Sequence, residues 1–119
     1  RYTMVRKEHY ETVVEGMRAA VTGGTCRAAN IPGLDVCGKT GTAQNRGKDH
    51  SAFMGFAPMN NPQIAVSVYV ENGGWGATYG VPIGALIIEK YLKGELSPES
   101  ELKARDIQNR RIDYGIHER

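Results

Sequence analysis

Residues 33–44 read Gly33-Leu34-Asp35-Val36-Cys37-Gly38-Lys39-Thr40-Gly41-Thr42-Ala43-Gln44, and how this stretch is parsed decides the fold. It is either a glycine-bounded loop that opens a helix, or a strand that carries a lysine and two threonines. The flanks favour the strand. Residues 26–32 (CRAANIP) show no alternation and end in proline. Residues 41–49 (GTAQNRGKD) hold two glycines and no apolar periodicity, so no helix starts there. The apolar part, LDVC, lies inside the stretch. A strand over about residues 34–43 follows.

The letters also admit a second parse. Residues 33–40 (GLDVCGKT) satisfy G-x-x-x-x-G-K-T, the phosphate-loop pattern. That loop needs an apolar strand before it and, after it, a helix whose first N–H groups bind phosphate. Neither flank supplies one. Nucleotide binding through residues 33–40 stays as a minor alternative. Read forwards, Lys39-Thr40-Gly41 is the K-T-G element of penicillin-recognising serine enzymes.

Working outward, residues 50–57 (HSAFMGFA) and 63–71 (QIAVSVYVE) read as two more strands. In the last, Ile64, Val66, Val68 and Val70 alternate with Ala65, Ser67, Tyr69 and Glu71. The connections are short, which implies an antiparallel meander. Before the stretch, Tyr10, Val13, Val14, Met17, Ala20 and Val21 recur at helical spacing, so a helix is expected over about residues 7–22, stopped by Gly23-Gly24. After the strands, residues 79–92 read as a helix with Pro82 in its first turn and apolar residues nearly all round, which marks a helix buried on a sheet. From Lys93 the chain turns charged. Ser97-Pro98-Glu99 resembles a capped helix start, and a peripheral helix or frayed tail is expected. The fold class is α+β: a helix, a three-stranded antiparallel meander and a C-terminal helix packed on the sheet.

Composition sets outer bounds. The chain has 119 residues, 40% hydrophobic and 24% charged, the profile of one folded domain. No run approaches the ~20 apolar residues of a membrane span. A net charge of +2 is too weak to argue for nucleic acid. Cys26 and Cys37 are too few for a disulfide framework, and two buried thiols are the favoured reading. His9, His50 and His117 share no metal-ligand spacing, so neither a metal nor a cofactor is expected. Glycine is in excess, fifteen residues, and eleven of them fall in 23–47 and 73–84. Such clusters mark tight turns or a closely approached backbone.

GKTGTAQ (38–44) followed by HSAFMGFAPMNNPQIAVSVYVENGG (50–74) resembles the C-terminal end of a class B penicillin-binding protein, with elongation-type penicillin-binding protein 2 as the nearest kind. The resemblance covers about residues 1–93 and leaves 94–119 outside as a charged tail. It implies part of a penicillin-binding transpeptidase fold, from a serine D,D-transpeptidase that cross-links peptidoglycan and supports cell shape. It implies that Lys39 sets a positive charge beside the nucleophile and the substrate carboxylate. Thr40 would offer its hydroxyl to that carboxylate. Gly41 would let substrate backbone lie close, and the N–H of Thr42 would be an oxyanion-hole donor. Trp75 is a candidate for the rim, with local packing an equal alternative. His50 is placed near the site or in a structural hydrogen bond. Partners implied are stem peptides, β-lactams, the remainder of the transpeptidase and a SEDS-family glycosyltransferase. The implied location is the periplasmic face of the cytoplasmic membrane.

The resemblance also names what is missing. The family uses S-x-x-K for its nucleophile and S-x-N beside it. No S-x-N occurs, and the one serine with a lysine three residues on, Ser100 with Lys103, lies in the charged tail after K-T-G. This stretch alone is therefore expected to be inactive, and an exposed strand edge is expected to promote self-association. A penicillin-sensing or non-catalytic binding module remains as the other alternative.

Overall fold

The computed structural model describes residues 2–112; residues 113–119, the end of the expected tail with His117, lie outside the described residues. Helix α1 (Lys7–Gly23) comes first, and then a 3-10 turn (Arg27–Ala29). Strands β1 (Cys37–Ala43), β2 (His50–Ala57) and β3 (Ile64–Val70) form an antiparallel sheet in that order. Helices α2 (Gly80–Lys93) and α3 (Pro98–Asn109) complete the chain. The α+β meander with a helix packed on it matches the expectation.

The expected strand over 34–43 loses its first three residues. Gly33 and Asp35 adopt left-handed conformations, φ 83° and 46°, which no strand contains, so pairing begins at Cys37. Lys39 and Thr40 then lie inside a paired strand that runs on to Ala43. This overturns the phosphate-loop parse: the Lys-Thr pair is held extended and opens no helix.

Register assigns the two faces of the sheet. Gly38, Thr40 and Thr42 pair with Gly55, Phe53 and Ser51, which pair in turn with Val66, Val68 and Val70. These residues share the face covered by helix α2. Lys39, Gly41, Met54, Ala52 and Tyr69 share the opposite face, where Met54 and Tyr69 are exposed.

Phe53 organises the core. Its ring is 1% exposed, and it has room only because three elements offer a glycine. A Cβ on Gly38, Gly55 or Gly84 would lie 2.5, 2.5 or 2.4 Å from a ring carbon. Val21, Cys26, Ala29, Val36, Ala57, Val81, Ala85 and Ile88 fill the rest. Cys26 and Cys37 are both buried free thiols, as expected.

Helix α1 follows its apolar stripe only in part. Val21 is buried, whereas Tyr10 and Val13 stay exposed, because the helix meets β1 and the 3-10 turn through its C-terminal turns. Helix α3 begins with the expected cap, the Ser97 side chain accepting from the Ser100 N–H, with Pro98 at its first position. It is anchored rather than frayed. Glu89 of α2, 2% exposed, accepts hydrogen bonds from the Ser97 N–H (2.7 Å) and the Ser100 hydroxyl. Burial alone would push the Glu89 carboxyl up; the Ser100 and Ser97 hydrogen bonds, with the nearby Lys93 charge, outweigh it and hold it below its ordinary value.

Candidate active-site wall

Strand β1 pairs with β2 along one edge only. Its other edge carries the candidate chemistry. The peptide groups of Thr40 face that edge: its N–H is directed at the Cys26 sulfur, and its carbonyl accepts from the Lys39 ammonium at 2.8 Å. Peptide groups two residues apart on a strand point the same way. The N–H of Thr42 therefore projects from the same edge, beside an exposed side chain. This is the direction an oxyanion donor requires.

The side chains do not share one face. Lys39 lies on the sheet's outer face. Thr40 lies on the helix side, where its hydroxyl is hydrogen-bonded to that of Thr25 (3.1 Å). Gly41 follows on the same outer face as Lys39, opposite Ala52. Strand alternation separates the lysine from the two threonines, and the free edge is what unites them.

A glycine-rich loop closes one end of the wall. A Cβ on Gly76 would sit 2.6 Å from the Ala52 carbonyl oxygen and 2.9 Å from that of Gly41, so the loop lies directly on the β1–β2 ladder. Ser51, fully buried, fixes it there: its hydroxyl donates to the Trp75 carbonyl (2.8 Å) and accepts from the Gly80 N–H (3.0 Å). Trp75 itself is 76% exposed and, with Thr42, lines a cavity of about 510 Å³ at the strand's end. His50 stands next to this end. Its Nδ1 accepts from the Asn72 N–H (2.9 Å) and its ring lies 5.2 Å from that of Tyr69. Asn45 ties the two loops together, donating to the Lys48 carbonyl (3.1 Å) and to Asn72 Oδ1 (2.8 Å).

Asn45 has no motif signal in the sequence; Ser51 and Asn72 lie in the stretch 50–74 that carries the resemblance, but nothing there marks them as the residues that fix the loops. Asn72 leaves one trace, since asparagine tolerates the left-handed φ of 57° that it adopts before Gly73-Gly74.

No described side chain is placed as a surrogate nucleophile beside Lys39. Cys26 is close but fully buried, and burial pushes its thiol up despite the Thr25 hydrogen bond and the Lys39 charge. Ser100 is bound to Glu89 at the far end of α2, away from β1.

Comparison with known proteins gives this wall its context. The sequence is 41% identical over 76 residues to peptidoglycan D,D-transpeptidase PbpA of Mycobacterium tuberculosis, covering 55% of this chain and 15% of that protein. It is 34% identical over 87 residues to peptidoglycan D,D-transpeptidase MrdA of Acinetobacter baumannii, covering 60% and 13%. The chain thus spans about one seventh of these relatives' length. Among solved structures, it superposes on penicillin-binding protein A of M. tuberculosis in a ceftriaxone acyl-enzyme complex (TM-score 0.68, 32% identity, 74% of this chain, 22% of that one). It also superposes on PBP2 of Pseudomonas aeruginosa bound to WCK 5153 (TM-score 0.65, 40% identity, 82% and 23%). The family described as penicillin binding protein transpeptidase domain matches residues 2–93, and the chain belongs to that family as a partial transpeptidase domain.

Proposed function

We propose that this chain supplies the K-T-G wall of a peptidoglycan D,D-transpeptidase whose serine nucleophile lies in another stretch of the same domain. The observation that carries the reading is the free edge of β1, with Lys39, Thr40, Gly41 and Thr42 on it and the peptide groups of Thr40 turned outward.

The chemistry follows from that edge. The serine oxygen attacks the carbonyl of a D-Ala-D-Ala peptide bond and gives up its proton to a base. The tetrahedral oxyanion takes a hydrogen bond from the Thr42 N–H, worth roughly 2.7–4 kcal/mol in the transition state. The C–N bond breaks, D-Ala leaves with a proton, and a serine ester remains. An amine of a neighbouring stem then attacks the ester and restores the serine. Lys39 supplies positive charge for the substrate carboxylate and the nucleophile. Thr40 must exchange Thr25 for substrate to offer its hydroxyl. Gly41 leaves room for peptide backbone to lie along the edge, a form of β-augmentation. β-Lactams would acylate the same serine; the M. tuberculosis relative forms an acyl-enzyme complex with ceftriaxone.

The partners in this reading are the rest of the transpeptidase domain and a SEDS-family glycosyltransferase; one structural relative is described as a peptidoglycan synthase complex that coordinates polymerisation and crosslinking. The setting is extracytoplasmic, on the periplasmic face of the membrane. Among the described residues no helix is long and apolar enough to cross a membrane. The unpaired edges of β1 and β3 favour self-association of the isolated chain. A monodisperse monomer in sedimentation velocity would refute that.

The test is fluorescent penicillin labelling of the chain alone and mixed with the upstream part of its parent. Labelling is expected only in the mixture, and on the upstream part. Covalent label on this chain alone would overturn the assignment. Reversible binding without acylation in the complete protein would favour a penicillin-sensing module instead.

A further inference from the structure

The cavity at the end of β1 has a second wall that the K-T-G motif does not predict. Thr42, Lys48, Asp49 and Trp75 line one side, and Arg111 and Ile112, which follow α3, line another. That segment is tethered at the residue before. The Arg110 guanidinium donates to the Thr78 carbonyl (2.9 Å), lies 5.3 Å from the centre of the Tyr79 ring and donates twice to Asp106 Oδ2 (3.1 and 2.7 Å). Helix α3 is pinned at its other end by Glu89. Arg111 is therefore delivered to the end of the wall by a chain fastened at both ends.

The charges in the cavity are unbalanced. Among the described residues, neither Lys48 nor Arg111 makes an ion pair. The one lining carboxylate, Asp49, already accepts from the Asn45 N–H (3.2 Å). The remaining lining includes Gly47, Gly73 and Gly74, which add no side chains to the space. Two cations against one carboxylate, in a roomy cavity next to Thr42, suit an anionic group. A guanidinium prefers a planar carboxylate, which it can hold with two parallel hydrogen bonds.

We propose that Arg111, with Lys48, forms an accessory subsite for a carboxylate-bearing branch of the peptide that lies on the Lys39–Thr42 wall, and that Arg110 is its positioning residue. The proposal rests on the transpeptidase reading. Arg111 is exposed, so its preference is modest, about fivefold, as for a screened ion pair.

The test uses the complete transpeptidase that carries this sequence. Two D-Ala-D-Ala-terminated peptides serve as substrates, identical except that one upstream side chain ends in a carboxylate in one and a carboxamide in the other. The readout is the ratio of their kcat/KM values. The wild type should favour the carboxylate about fivefold at low salt. Arg111→Ala should bring the ratio close to one, Arg111→Lys should retain part of the preference, and Arg111→Glu should reverse it. Arg110→Ala should lose the preference although Arg111 is intact. Melting temperature and stoichiometric penicillin labelling identify variants that fail to fold. An unchanged ratio in Arg111→Ala or Arg110→Ala overturns the subsite while leaving the transpeptidase reading in place. A wild type that turns over neither peptide and takes no penicillin overturns both.

Discussion

Replacing Gly84 with alanine should destabilise the protein, although alanine is the better helix former. Gly84 lies within α2, where the exchange alone would stabilise by about 0.8–1.0 kcal/mol. Its new Cβ, however, would lie 2.4 and 2.5 Å from two carbons of the Phe53 ring. Relieving that contact needs roughly 1 Å of movement, given a normal carbon–carbon separation of about 3.5 Å. The ring cannot yield it, because Gly38 and Gly55 already hold it as tightly from the sheet. Overpacking of this kind costs about 1–3 kcal/mol, and the confinement places it in the upper half, near 2–3. The net is about 1–2 kcal/mol lost, a fall in melting temperature of about 3–8 °C for a chain this size. Gly16, within α1 and with nothing within 4 Å of a Cβ, is the internal control. Gly16→Ala should raise stability by about 0.8 kcal/mol. Thermal and urea unfolding followed by circular dichroism measure both. The reasoning also predicts that Phe53→Leu, destabilising alone, costs less in the Gly84→Ala background. A Gly84→Ala protein that melts at or above the wild type, or a Gly16→Ala protein that melts below it, would refute this account of the core.

Ser51→Ala should leave the buried Gly80 N–H without its partner, at a cost of about 1–3 kcal/mol, and free the Trp75 loop; acrylamide quenching of the single tryptophan should become more efficient. Glu89 has its carboxyl held below the ordinary 4.5, so its share of stability is present above that value and is lost as pH falls through the lower, folded-state value. Protection factors of the α3 amides, exchange rates taken relative to the intrinsic rate at each pH, should therefore fall on acidification in the wild type and lose this pH dependence in Glu89→Gln. Lys39→Ala in the complete transpeptidase should slow acylation by penicillin by about 10²-fold while the protein stays folded, read by stopped-flow fluorescence; an unchanged rate would remove Lys39 from the chemistry.

The strands and helices were legible where one physical signal dominated. Alternation placed β3 to within a residue at each end, and the Ser97-Pro98 pair placed the start of α3. The start of β1 was not legible, because Leu34 and Val36 are strand-forming residues and only the tertiary path forces Asp35 into a left-handed turn. At the wall, the motif named Lys39, Thr40, Gly41 and Thr42 but could not say that strand pairing would set lysine and threonines on opposite faces. Cys26 at the edge and Arg111 in the cavity were illegible for a different reason. Each is brought there from another part of the chain, far from the wall in sequence, by contacts that leave no local pattern.

The Lys39 ammonium rests on the carbonyl of its own neighbour and, among the described residues, pairs with no carboxylate. An anion arriving at this edge meets a cation with no counter-ion to evict; what it must do is turn a flexible side chain through a few bonds. Capture at the wall should therefore be fast and strongly slowed by salt, and indifferent to the removal of any single acidic residue. In kinetic terms the charge is held ready, and the barrier to using it is a rotation.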